Sequence, residues 1–211
     1  MGRAKEIEVR VIPSSIANPF IKRVHYSGKV VSNSQVHFGA FLDGALHGVL
    51  SYGPSTRKDL IVGLVADTKW NEFIELNRMA FDDYLPRNSE SFCIAKSLRL
   101  LKKNAPHLKW VISFADGTQC GDGTIYRASN FVLTGITQNR NILLLPDGTR
   151  ISTVTVNAHP FSAAAMHAKA ACGIAPNVKC LGTTLLRGGQ NTSKAICCAT
   201  SIFWTSAAAV S

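Results

Sequence analysis

Apolar runs and polar stops follow one another along this chain in a strand, helix, strand rhythm, clearest between Glu75 and Gly135. IEVRVI at Ile7 to Ile12 predicts a short strand ended by Pro13. Ser14-Ser15 then caps a helix through Ile16, Phe20 and Ile21, with His25-Tyr26-Ser27-Gly28 as its exit turn. VHFGAFLD and ALHGVLSYG flank Asp43-Gly44, the pair that most favours a tight turn, so Val36 to Gly53 predicts two antiparallel strands. FIELNRMAF reads as a further strand; Pro86 breaks the chain, and Asn88 or Ser89 caps a helix whose Ile94, Leu98 and Leu101 recur at i, i+4, i+7. The run Trp110 to Phe114 predicts a central strand stopping at Ala115-Asp116-Gly117, which places a carboxylate where α/β sheets bind ligands. A loop rich in Gly and Thr, the short helix IYRASN and the strand FVLTGI come next, and Asn141 to Val156 predicts a second hairpin turned at Asp147-Gly148.

Composition narrows the class. A chain of 211 residues that is 46% apolar supports one α/β domain with a substantial core, and its apolar runs fall short of the roughly 20 residues that span a bilayer. No membrane partner is expected. The N-terminus is charged from its third residue and lacks the apolar stretch of a secretory signal, and six cysteines without CxxC spacing suit a reducing compartment, so a cytoplasmic location is expected. A formal charge of +10 favours a polyanionic partner, because Lys and Arg near phosphates release condensed counterions. Lys96, Arg99 and Lys103 share one helix face, which is either a solvated outer face or a phosphate-tracking one. From Gly148 onward there is no Asp or Glu, while Ala, Ser, Thr and Cys accumulate.

Candidate chemistry gathers at element ends, since HExxH, paired CxxC, a zinc-deaminase pattern, a P-loop and GxGxxG are all absent. His25 and Tyr26 offer a base, a metal ligand and a phenolic proton, or form a surface turn. Arg78, on an apolar strand between Leu76 and Met79, needs an anion or a carboxylate, and a salt bridge to Asp82 or Asp83 is the structural alternative. Asp116 can bind a metal, orient a base or accept a proton, or simply cap a turn. Ser91 in the first turn of the long helix sits where backbone N–H groups point at anions.

GTIYRASNF, entered from a polar loop after a strand, resembles the GNAT acyltransferase superfamily, whose helix tyrosine can protonate a leaving thiolate; that position is Tyr126. The glycine-rich loop expected before the long helix is here LPRNSES, which departs from ordinary acetyl-CoA binding. HYSG, FGAFLDGALHGVLSYG, LNRMAFDDYLPRNSES, PHLKWVISFAD and GTIYRASNF, in this order, resemble the Mom family of phage DNA-modification proteins. That resemblance implies a GNAT-like fold, a mixed and mostly antiparallel central sheet flanked by helices, over residues 1–156. It implies conversion of adenine in double-stranded DNA to its N-carbamoylmethyl derivative, which protects phage DNA from restriction in a bacterial host, and an association with iron. The functional positions it implies are His25, Tyr26, Arg78, Ser91, Asp116 and Tyr126. Arg78, Asn88 and Ser91 would hold the donor, and His25, Tyr26 and Asp116 are the iron-ligand candidates.

The added carbamoylmethyl group has the atoms of a glycyl group, so atom accounting favours a glycyl donor such as glycyl-tRNA over acetyl-CoA. A homodimer is left open. A GNAT-type acyltransferase acting on a small amine or protein, and a basic DNA-binding relative without catalysis, are the competing readings. Residues 157–211 are expected to form no independent domain and to lack the family's aromatic closing strand, as a frameshifted or decayed end would.

Overall fold

A computed structural model describes residues 2–56, 61, 63–116, 123–139, 142–144, 150–152, 156, 161–171 and 199–206. After a 3₁₀ turn at Arg3–Glu6 the elements run β1 (Glu8–Ile12), α1 (Ser14–Val24), β2 (Val36–Leu42), β3 (Ala45–Gly53), β4 (Phe73–Phe81), α2 (Ser89–Asn104), β5 (Trp110–Asp116) and α3 (Thr124–Ala128). They continue with β6 (Val132–Asn139), β7 (Ile142–Leu144), β8 (Arg150–Ser152), α4 (Ala163–Ala171) and β9 (Ala199–Ser206). Seven strands form one sheet in the order β1-β2-β3-β4-β5-β9-β6, and β7 and β8 pair separately. β1 to β4 are antiparallel neighbours and β4 runs parallel to β5, so the sheet is mixed and mostly antiparallel, as expected. The acid-free end of the chain contributes β9 to that sheet.

The chain divides into two compact units. One comprises Met1–Ala115, Cys120–Gly135 and Ile202–Ser211. The other comprises Asp116–Gln119 and Ile136–Ser201, and holds the β7–β8 hairpin and α4. Among the described residues no helix is long and apolar enough to cross a membrane.

In the first unit α2 buries the stripe its sequence spacing sets, whereas in α1 Phe20 and Ile21 are buried with Ala17 and the expected Ile16 is exposed. Cys93, Ile94, Leu98 and Leu101 of α2 pack on Phe38, Ala40, Leu50, Tyr52, Ile74 and Leu76. Ala17, Phe20 and Ile21 of α1 pack against Ile12, Val49 and Ala80 in a separate cluster. Lys96, Arg99 and Lys103 are exposed. The hairpin turn is as expected, with Asp43 at φ 51° and Gly44 at φ 81°, both left-handed as a two-residue hairpin requires.

The start of α1 differs from the expectation, and that of α2 matches it in position but not in side-chain bonding. Pro13, not a serine, is the N-cap of α1, and its carbonyl accepts from the Ile16 and Ala17 amides while no side chain caps the turn. Asn88 stands at the N-cap of α2 in the left-handed region, φ 68°, where its side chain makes no cap bond. Ser89 and Ser91 instead turn their hydroxyls back to the Pro86 and Asn88 carbonyls. The predicted turn at Asp147-Gly148 and the loop 117–122 lie outside the described residues.

Candidate active site

A single extra residue in β4 decides which side chains meet. β3 and β4 pair Ser51 with Arg78 but Tyr52 with Leu76, so Asn77 is a β-bulge and the alternation of faces reverses across it. Ile74 and Leu76 before the bulge, and Met79 and Phe81 after it, all belong to the α2 cluster. Glu75 and Arg78 therefore share the opposite face, the one on which Ala80 meets α1. In a regular strand two residues three apart would point to opposite faces.

α1 ends on this face. The His25 amide donates to the Ile21 carbonyl, and the chain turns as the Gly28 amide donates to His25 O. His25 Nδ1 accepts from the Ser27 amide at 3.1 Å and lies 2.8 Å from Ser27 Oγ. In the neutral ring this assigns the proton to Nε2. Burial, and then the Arg78 charge, pulls the His25 pKa down to about 4. The imidazole is thus neutral near pH 7, with Nε2–H as a donor. Tyr26 lies beside it with ring centroids 4.3 Å apart.

Arg78 is half-buried, donating from Nε to the Lys29 carbonyl (3.0 Å) and from Nη1 to the Asn77 carbonyl (2.8 Å). It forms no ion pair with a carboxylate among the described residues. The salt bridge to Asp82 or Asp83 is not made: Asp82 instead holds His47 Nδ1 at 3.0 Å. Burial lowers the Arg78 pKa, while the nearby Tyr26 and Glu75 counter it. A guanidinium fixed only by carbonyls keeps N–H donors for an anion or a base edge.

On the other face the parallel pairing of β4 and β5 runs from Phe73–Trp110 to Leu76–Ser113 and then stops. Ser113 Oγ lies 3.0 Å from the Leu76 carbonyl and 3.1 Å from the Tyr126 hydroxyl. Tyr126 itself is buried against Phe131, so its phenol is held at the point where the two strands part. At the start of α2 a groove of about 510 Å³ is lined by Lys5, Arg87, Asn88, Ser91, Phe92 and Ala128 among others. Two basic side chains and a helix N-terminus line it, a chemistry that suits an anion. The left-handed Asn88 stands here where LPRNSES offers no glycine.

The expected residues thus form separate groups. His25, Tyr26 and Arg78 meet on the α1 side, with Arg78 on the face opposite α2. Asn88 and Ser91 line the groove, and Tyr126 sits at the strand opening. Asp116 is the last residue of β5 and falls in the other unit, and its side chain lies outside the described residues. Sequence reading missed Glu75, Ser113, Lys5 and Arg87; a carboxylate in FIELNRMAF and a serine in WVISFAD were the available signals.

The described donors do not fit an iron site. His25 Nδ1 is taken by Ser27, its other nitrogen carries the proton, and a guanidinium is the nearby charge. Among the described residues no three His, Cys, Asp or Glu converge.

A family model described as the Mom protein family matches residues 6–180. Over 156 residues the chain is 37% identical to a protein named methylcarbamoylase mom from Escherichia phage Mu, covering 74% of this chain and 64% of that relative's length. It is also similar in fold to a GNAT family acetyltransferase from Elizabethkingia anophelis solved with acetyl-CoA bound, at a TM-score of 0.50 and 11% identity over 95% of this chain and 97% of that one.

Proposed function

The chain belongs to the Mom protein family, and from that premise we propose that it is a transferase that modifies adenine in DNA, adding a carbamoylmethyl group to the exocyclic amine and so shielding phage DNA from restriction. The observation that carries this reading is the opening between β4 and β5 at Leu76 and Ser113, with the Tyr126 hydroxyl 3.1 Å from Ser113 Oγ. A gap in a sheet lets a donor reach from one face to an acceptor on the other. The groove at Lys5, Arg87, Asn88 and Ser91 suits the donor's phosphate end. Arg78, Tyr26 and the Nε2–H of His25 suit the acceptor.

Tyr126 protonates the leaving group. Arg78 holds a DNA phosphate or base edge beside His25. A glycyl donor such as glycyl-tRNA supplies every atom of the added group, whereas acetyl-CoA needs a further nitrogen source. After glycyl transfer to the adenine amine, the free glycyl amine attacks the ring carbon bearing it through a five-membered ring, and the amide nitrogen leaves that carbon. Adenine is stacked in a duplex, so it must flip, at a cost of a few kcal/mol offset by backbone contacts.

Mass spectrometry of nucleosides from cells expressing the chain tests the reading. Carbamoylmethyl-deoxyadenosine is expected, and ¹⁵N-glycine label in it supports the glycyl route. Unmodified deoxyadenosine alone refutes the DNA activity and leaves a GNAT-type transferase on another amine or a non-catalytic DNA binder. Modified base without label refutes only the donor.

A further inference from the structure

A transfer to an amine needs a group that takes the amine's proton, and the α1 face contains one that the expected set omits. His25 is unsuited, because its basic nitrogen is Nδ1 and that atom is held by the Ser27 amide. Arg78 is a permanent cation. His37 is buried and tied through Nδ1 to Ser51 Oγ at 2.7 Å. Glu75 remains: the Asn77 bulge turns it to the face of Arg78, its half-buried carboxylate is hydrogen-bonded by Ser55, and it forms no ion pair with Arg78.

We propose that Glu75 is the general base of the transfer, taking the proton from the exocyclic amine of adenine as that nitrogen attacks the donor's carbonyl carbon. This rests on the adenine-modifying reading above. In the step the N–C bond forms and the bond from the carbonyl carbon to the donor's oxygen or sulfur breaks. One amine proton passes to the Glu75 carboxylate, and the leaving group takes a proton from Tyr126. Solvent then exchanges with both residues, so the net change is acyl donor plus amine to amide plus the protonated leaving group. Burial raises the Glu75 pKa, which makes its carboxylate a stronger base, while the Ser55 hydrogen bond and then Arg78 restrain the rise.

Glu75→Gln keeps the shape and the acceptor for Ser55 but cannot take a proton. Extracts of expressing cells, which supply the donor, are given plasmid DNA, and the initial rate of adenine modification is measured per folded molecule by circular dichroism. A fall of about 100-fold or more is expected for Glu75→Gln. Partial return in Glu75→Asp is expected too, with both variants binding an adenine-containing duplex as wild type does. Modification by Glu75→Gln within a few-fold of wild type overturns the assignment, as does a Glu75→Asp rate no better than that of Gln. A wild-type chain that modifies no adenine refutes the functional reading itself, and Glu75 falls with it.

Discussion

Gly53 closes β3 opposite Glu75, and a single methyl group there tests whether the segment 27–35 positions the site. A Cβ at this position would lie 2.4 Å from the Asn33 carbonyl oxygen, and 3.0 Å from both Asn77 Nδ2 and Ser34 Cα. Carbon–oxygen contacts normally sit near about 3.3 Å, so the overlap is about 1 Å, and it falls on backbone that no rotamer change can move aside. The segment must shift, and its ties to the sheet are few. Asn33 Nδ2 donates to the Pro54 carbonyl, Ser34 Oγ to Asn77 Oδ1, the Gln35 amide to the Tyr52 carbonyl, and Arg78 Nε to the Lys29 carbonyl. Overpacking of this kind costs about 1–3 kcal/mol, which for a chain of this size lowers Tm by roughly 2–12 °C. The denaturant midpoint of Gly53→Ala should fall with an unchanged m-value, and because Arg78 leans on Lys29, adenine modification should fall by about tenfold or more. Gly2→Ala, with nothing within 4 Å of the added carbon, is the control for stability. Stability within about 0.5 kcal/mol of wild type together with full modification would falsify the claim that this segment is seated on Gly53 and holds Arg78.

Gly44→Ala meets no atom within 4 Å but sits at φ +81°, so it should cost about 1–2 kcal/mol through strain alone, read as a shifted denaturant midpoint with modification retained. His25 is depressed from 6.5 to about 4 on folding, so the unfolded chain binds the extra proton between those values. Its contribution is complete above pH 6.5, falls as pH drops through that window and is gone below about pH 4. The full shift corresponds to about 3 kcal/mol, reduced to about 1–2 for a half-exposed ring, and His25→Asn should flatten the stability profile over that window; an unchanged slope refutes it. Tyr126→Phe keeps the ring and removes the hydroxyl at Ser113, so it should cost about 1 kcal/mol of stability but about 100-fold or more in modification rate. Wild-type rates in that variant would remove Tyr126 from the chemistry.

What sequence reading captured was local. Asp43-Gly44 carries its own turn preference, and Ile94, Leu98 and Leu101 carry a helical stripe, so the hairpin and α2 stand where expected. The cap of α1 was misread because Pro13 fits the first extended position as well as a serine does, and its carbonyl accepts from the Ile16 and Ala17 amides with no capping side chain. The bulge at Asn77 could not be read at all. FIELNRMAF looks like a regular strand, and only pairing with β3, more than twenty residues upstream, reveals the extra residue. Hence Arg78 was noticed as an oddity of composition, while Glu75, which the same bulge turns to its side, went unnoticed.

The break in β4 has a physical logic that joins the two faces. Pairing with β5 ends at Leu76, and the very next residue, Asn77, is the bulge in the pairing with β3, so both neighbours lose register with β4 at one point. There the Leu76 carbonyl accepts from Ser113, which also holds Tyr126, while the Asn77 carbonyl accepts from Arg78. Successive peptide units thus tie down the candidate acid on one face and the candidate anion binder on the other. Asn77 leaves its own Nδ2 buried without a partner among the described residues, a cost of about 1–3 kcal/mol that a regular strand would avoid. The bulge fits the proposal that function needs the geometry it creates. Here it creates a sheet that opens toward β5 just where its polar side chains change face, the arrangement a transfer from one face to the other requires.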